Sequence, residues 1–138
     1  MSCKKKNYFY AVNSILPLTC GLFIYMTIKE DTLVSSYLSS LRFLMPIINY
    51  PAVIRNHAAD FLWTYSLFFT LRLTLGDNLC GRNNLNVALL TITVAVIMEC
   101  LQMTEIFHGT FDLLDIVAEL LAVVSALLIS NAIEHKMF

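Results

Sequence analysis

The amino-acid sequence predicts an all-α fold: an integral-membrane four-helix bundle, with an additional interfacial helix or loop between helices one and two. Three observations predict it. First, 58% of the 138 residues are hydrophobic and only 14% are charged, with a mean hydropathy of +0.71. A soluble domain is about 45–50% apolar and about 25% charged, and a small chain has a large surface for its volume, so there are too few charges here to cover a water-facing exterior. Second, the apolar residues gather into four long runs, at 8–28, 58–75, 85–103 and 113–133. Third, these runs approach or reach the roughly 20 residues that a helix rising about 1.5 Å per residue needs to cross about 30 Å of hydrocarbon. The whole of 1–138 is then one transmembrane domain.

Run one carries no charge, and its polar residues are few, Asn13 and Ser14 among them. Pro17 is a kink site of the kind that neighbouring membrane helices tolerate. The run is of spanning rather than signal-peptide length, so it is expected to be a retained helix. Run two is shorter and has Asp60 at one end and Arg72 at the other. Arg72, near the end of its run, is expected to snorkel to the membrane surface. Runs three and four are rich in Val, Ile and Leu, and their length and continuity favour helices over strands. Between runs one and two, Val34, Tyr37, Leu38, Leu41 and Met45 recur at helical spacing with serines between them, which suggests a helix lying in the interface plane. Pro46 and Pro51 bracket an irregular stretch after it. Trp63, Tyr65, Phe68 and Phe69 read as interface anchors and packing residues. Cys3, Cys20, Cys80 and Cys100 are far apart, with no C-x-x-C spacing, and read as unpaired thiols.

The Lys and Arg distribution sets an orientation. With the N-terminus inside, Lys4, Lys5, Lys6, Arg72, Arg82 and Lys136 are cytoplasmic, and Lys29, Arg42 and Arg55 are external. Both termini are then cytoplasmic. The ionisable residues of the bundle then collect at its outer end: Arg55, His57 and Asp60 at the start of helix two, Glu99 and Gln102 at the end of helix three, Glu105 and His108 in the following loop, and Asp112, Asp115 and Glu119 in the first turns of helix four. Glu99 and Gln102 are spaced i, i+3; Asp112, Asp115 and Glu119 follow at i, i+3 and i+7. Each set therefore shares one helical face. Charges within a bilayer turn toward the bundle interior or a wet cavity, so both faces are expected to converge on one outward-open polar pocket. Its candidate ligand-binding residues are Arg55, Asp60, Glu99, Gln102, Asp112, Asp115 and Glu119. Six acids in that region outnumber the cations near them. Like charges in low dielectric cannot all ionise, so some should be protonated, paired with Arg55, or bound to a cationic ligand.

Simpler roles sit beside these. Asp112 and Asp60 are placed to cap helices, Asp115 to support the dipole of helix four, and Glu99 and Gln102 to cross-link helices. A net charge of −1 offers no basic surface for nucleic acid. No G-x-S-x-G, H-E-x-x-H or Walker loop is present, so no catalytic residues are assigned. His57 and His108 are the only weak candidates for a metal, without diagnostic spacing, and no cofactor is expected.

The stretches Glu99-Cys100-Leu101-Gln102 and Gly109-Thr110-Phe111-Asp112-Leu113-Leu114-Asp115-Ile116, preceded by Asp60-Phe61-Leu62-Trp63-Thr64-Tyr65-Ser66-Leu67, resemble the VanZ-like family of small membrane proteins. The likeness covers roughly residues 55 to 125. The chain departs from the family pattern in having His108-Gly109 where a basic residue is usual, Glu119 in place of Asn, and Ala122 and Ala126 in place of glycines. The resemblance implies a bacterial cytoplasmic-membrane protein of the type linked to teicoplanin resistance. Its implied partners are a membrane lipid, a lipid-linked envelope precursor or a glycopeptide-type antibiotic, whose polar group the outer-facing acidic pocket would bind, or else a cation. Arg55 would hold an anionic headgroup or the acids, Gln102 would orient the ligand, and Glu99, Asp112 and Asp115 would meet its amines. Two alternatives remain at this point: a metal-dependent hydrolase or transferase acting on a lipid-linked substrate, and a small cation or organic-acid carrier with Glu119 as a relay.

Overall fold

A computed structural model of the chain describes residues 3–28, 44–79, 84–102 and 112–137. These residues form four helices and, among them, no strand: α1 (Cys3–Thr27), α2 (Ala52–Leu79), α3 (Asn84–Gln102) and α4 (Leu113–Met137). The expected interfacial helix falls almost wholly outside the described residues. Residues 46–51 are irregular, between the two prolines. They are pinned to the end of α1, where Ile48 N donates to Thr27 O at 2.9 Å. The Thr27 hydroxyl donates to Phe23 O at 2.8 Å, which leaves Tyr50 to donate to Thr27 at 2.9 Å.

Lys5–Thr27, Asn84–Gln102 and Leu113–His135 are long and apolar enough to cross a membrane. The second helix, which the sequence groups with them, is not among these. The packing gives the reason. The backbone of α2 comes close to each of the other three helices, whereas that of α1 comes close to α2 alone. A helix surrounded by protein has less outward surface, and α2 correspondingly carries Asp60, Thr64, Ser66, Thr70 and Arg72. It also begins at Ala52 rather than at residue 58, since its Arg55-Asn56-His57 turn is helical without being apolar; Arg55 N bonds back to Pro51 O at 2.9 Å.

On α3 and α4 the inward positions are mostly small or polar and the outward ones large and apolar. On α4 the buried positions are Glu119, Ala122, Val123, Ala126 and Ser130, while Leu120, Leu121, Val124 and Leu128 are exposed. On α3 they are Asn84, Val87, Ala88, Thr91, Ala95 and Glu99, with Leu85, Leu89 and Ile97 exposed. Small residues at an interface let helix backbones approach closely, as membrane bundles require. Phe68 and Phe69 are fully buried and form the core with Tyr10, Val87, Val123 and Ala126. They are therefore core residues rather than interface anchors. Pro17 sits inside a continuous α1, and the α1–α2 seam beside it is closed by hydroxyls. Ser66 Oγ donates to Ser14 O, Thr70 donates to Ser66 O at 2.9 Å, and Ser14 donates to Thr70 at 2.6 Å. One residue along on each helix, Tyr65 OH donates to Asn13 Oδ1 at 2.7 Å.

The lower end of the bundle, where α1 and α3 begin and α2 and α4 finish, is tied together by Glu134. Arg72 is not a snorkelling residue: its side chain is only 1% exposed and Nη2 donates to Glu134 Oε1 at 2.9 Å. The same oxygen accepts from Tyr10 OH at 2.9 Å and lies 3.4 Å from Lys6 Nζ. Oε2 accepts from Asn84 Nδ2 at 3.0 Å, and Asn84 also donates to Asn131 Oδ1 at 2.6 Å. Ser130, 3.3 Å from the Tyr10 hydroxyl, completes the cluster. One carboxylate on α4 thus binds a side chain from every other helix. Removing one partner of a buried ion pair leaves an uncompensated charge and costs about 3–5 kcal/mol. Glu134→Ala is expected to lose stability on that scale, measured as a lowered unfolding midpoint of the detergent-solubilised protein. Glu134→Gln, which keeps the acceptor for Tyr10, should lose less. Unchanged stability in both would show that Arg72 does not depend on this carboxylate.

Candidate functional site

At the opposite end the acids are not neutralised in this way. A cleft of about 350 Å³ lies among all four helices. Leu18 and Tyr25 of α1 form one wall, and Val94, Ala95, Met98, Glu99 and Gln102 of α3 form the other. Asp60, Trp63, Thr64, Ser66, Leu67 and Thr70 of α2 form its floor, and Glu119 reaches it from α4. Of the candidate residues, Asp60, Glu99, Gln102 and Glu119 therefore line one space. Glu99 is 2% exposed and Glu119 7% exposed. Among the described residues, Glu99 Oε2 and Glu119 Oε2 are buried without a hydrogen-bond partner. Glu99 and Glu119 stand on the same helical faces as Ala95 and Ala122, each about one turn away, which explains their burial: the face that packs the bundle carries them inward. No Lys or Arg among the described residues lines the cleft.

Asp112, Asp115 and His57 form a separate group beside it. Asp112 Oδ1 accepts from Leu114 N at 2.9 Å, and Asp115 N donates to Asp112 O at 3.0 Å, the geometry of a helix N-cap at the start of α4. Asp115 Oδ1 lies 2.6 Å from His57 Nδ1, which ties α4 to the first turns of α2. One donor atom from each of the three lies within 4.8 Å of the others, the only arrangement among the described residues that brings three such donors together. An imidazole with two carboxylates suits a borderline divalent cation, but these side chains already bond to one another or to the α4 backbone. Arg55 is exposed on the first turn of α2, where Nε donates to Asn56 Oδ1 at 3.2 Å; it does not line the cleft. Glu105 and His108 lie outside the described residues. Cys20 and Cys100 are exposed free thiols, while the Cys3 and Cys80 side chains also lie outside the described residues.

Two contributors to the cleft escape a sequence reading. Tyr25 sits near the end of run one with no polar neighbour in sequence. Trp63 looks like an interface anchor, but it forms part of the cleft and stacks edge-on to Tyr25, with ring centroids 5.8 Å apart. The position of Trp63 is set by Gly21. A Cβ at residue 21 would lie 2.6 Å from Trp63 Nε1 and 2.7 Å from Cδ1, so only glycine admits the indole against α1. Trp63 is 41% exposed and has room to swing away. Gly21→Ala is therefore expected to change the emission of Trp63, the chain's one tryptophan, while leaving the unfolding midpoint nearly in place. An unchanged spectrum would contradict the contact.

Comparison with protein families, with characterised proteins and with solved structures finds no match to this chain.

Proposed function

We propose that this chain is a multi-pass membrane protein of the VanZ-like type, which uses the acidic cleft to bind the cationic, hydrogen-bond-donating group of an envelope ligand. The observation that carries this reading is the pair of buried, unpartnered carboxylate oxygens, Glu99 Oε2 and Glu119 Oε2, in a cleft that no Lys or Arg among the described residues lines. Carboxylate oxygens held out of water without a donor, in a cleft whose described lining has no counter-charge, are costly. A bound cation supplies both. Asp60 adds a third carboxylate, and Gln102 a neutral donor and acceptor at the rim.

The membrane placement draws support from the three long apolar helices and from the outward-facing leucines of α3 and α4. α2, with 28 residues, is about 42 Å long, and on this reading it crosses inside the bundle rather than against lipid. The Lys and Arg distribution supports a cleft that faces outward and a Glu134 cluster on the cytoplasmic side; the bacterial setting comes from the VanZ-like resemblance. Aminated envelope lipids, lipid-linked precursors and glycopeptide-type antibiotics all present the required group. The hydrolase alternative would rest on His57, Asp112 and Asp115, whose contacts are those of a cap and an ion pair. The carrier alternative meets the fully buried Phe68 and Phe69, which stand on α2 between Asp60 and Arg72.

The test places the purified protein in phosphatidylcholine nanodiscs and titrates primary alkylammonium ions while following Trp63 emission. A saturable change is expected, weakened by at least about tenfold, or roughly 1.4 kcal/mol of binding free energy, in the double variant Glu99→Gln, Glu119→Gln. No saturation at any chain length, or equal binding by the double variant, would reject the reading.

A further inference from the structure

The shape of the cleft specifies more than the charge of its ligand. α2 approaches all three other helices and α3 approaches α4, but α1 and α3 have no Cα pair within 8 Å of each other. The cleft occupies that gap. Leu18 and Tyr25 on one side face Val94 and Met98 on the other, with α2 behind them. Leu22 on α1, one turn from Leu18, and Leu90 and Ile97 on α3, each about one turn from Val94, are apolar and exposed beside the lining residues. In a membrane these residues face acyl chains, so the mouth opens sideways into a leaflet rather than only upward into water. Behind this apolar entrance stand Asp60, Glu99 and Glu119.

We infer that the cleft admits an amphiphile laterally from the bilayer, an alkyl chain bearing a primary ammonium head. This inference rests on the cation-binding reading above and adds the ligand class and its route. Each part of the ligand has a counterpart in the structure. The two unpartnered glutamate oxygens accept hydrogen bonds, which a primary ammonium donates and a quaternary one cannot. Trp63 and Tyr25, which line the same space, add aromatic rings of the kind that attract a cation. The chain lies along Leu18 and Met98 and leaves through the gap into lipid. An apolar anion of the same length fits the walls but meets three carboxylates.

The experiment compares dodecylammonium, dodecyltrimethylammonium and dodecanoate at equal mole fraction in the nanodiscs, and butylammonium added to the water at the same total concentration, with Trp63 emission as the readout. Dodecylammonium should saturate at a concentration at least about tenfold below each of the others and should lose that advantage in the Glu99→Gln, Glu119→Gln variant. Equal affinity for butylammonium, lost in the double variant, would overturn the lateral route and leave the acidic site standing. Equal affinity for dodecyltrimethylammonium would overturn the primary-ammonium assignment. Equal affinity for dodecanoate would reduce the cleft to an apolar slot. No response to any ammonium would reject both the inference and the reading on which it rests. The unfolding midpoint of the double variant, measured alongside, separates lost binding from lost fold.

Discussion

Arg72 is a permanent charge removed almost entirely from solvent, and one end of the bundle is organised around neutralising it. A guanidinium with five donors and no acceptor has to be met by carboxylate oxygen when water is excluded. Glu134 supplies that oxygen, and because it also takes Tyr10, Lys6 and Asn84, the cost of burying one charge is converted into a junction of four helices. The aromatic core of Phe68, Phe69 and Tyr10 sits directly above this junction. The relative placement of α1 and α4, which have no close backbone approach, is carried by these side chains.

The two ends of the molecule treat acids in opposite ways. Glu134 is saturated with donors from every neighbouring helix. Asp60, Glu99 and Glu119 surround a space, and two of their oxygens have no donor among the described residues. Both ends share the same low-dielectric surroundings, so the difference lies in what was placed opposite each carboxylate. A carboxylate whose oxygens are met by donors fixes a structure; on the proposed reading, one left without them beside a cavity is where a counter-charge binds. The group of Asp112, Asp115 and His57 falls between these cases, since its bonds cap α4 and fasten it to α2.

Helix class and the inward convergence of Glu99 and Glu119 were legible in the sequence because both depend on local periodicity. An acid one turn from a small residue, on a helix whose opposite face is leucine, has one direction in which to point. The partner of Arg72 was not legible, and the reason is specific. Hydropathy closes run four at Ile133, so Glu134 falls just outside it and is counted as a terminus rather than as part of a helix that continues to Met137. The clue was available in Arg72 itself, an arginine inside an apolar run, with an acid at the same end of α4, which runs parallel to α2. The role of Trp63 was hidden for another reason. It depends on a glycine more than forty positions away in the chain, at Gly21, and no periodicity links the two.

The modest apolarity of α2 has a consequence for biogenesis. A segment carrying Asp60, Arg72 and several hydroxyls has little tendency to partition alone from a translocation channel into lipid. Its polar groups find their partners on α1, through Ser14 and Asn13, and on α4, through Glu134. In the proposed membrane setting, α1 and α2 therefore enter as a helical hairpin whose hydroxyl seam is already closed, and Arg72 is held at the channel or the lipid surface until α4 has been synthesised. Assembly order is thus written into the most polar helix, which is settled last although it is the second to be made.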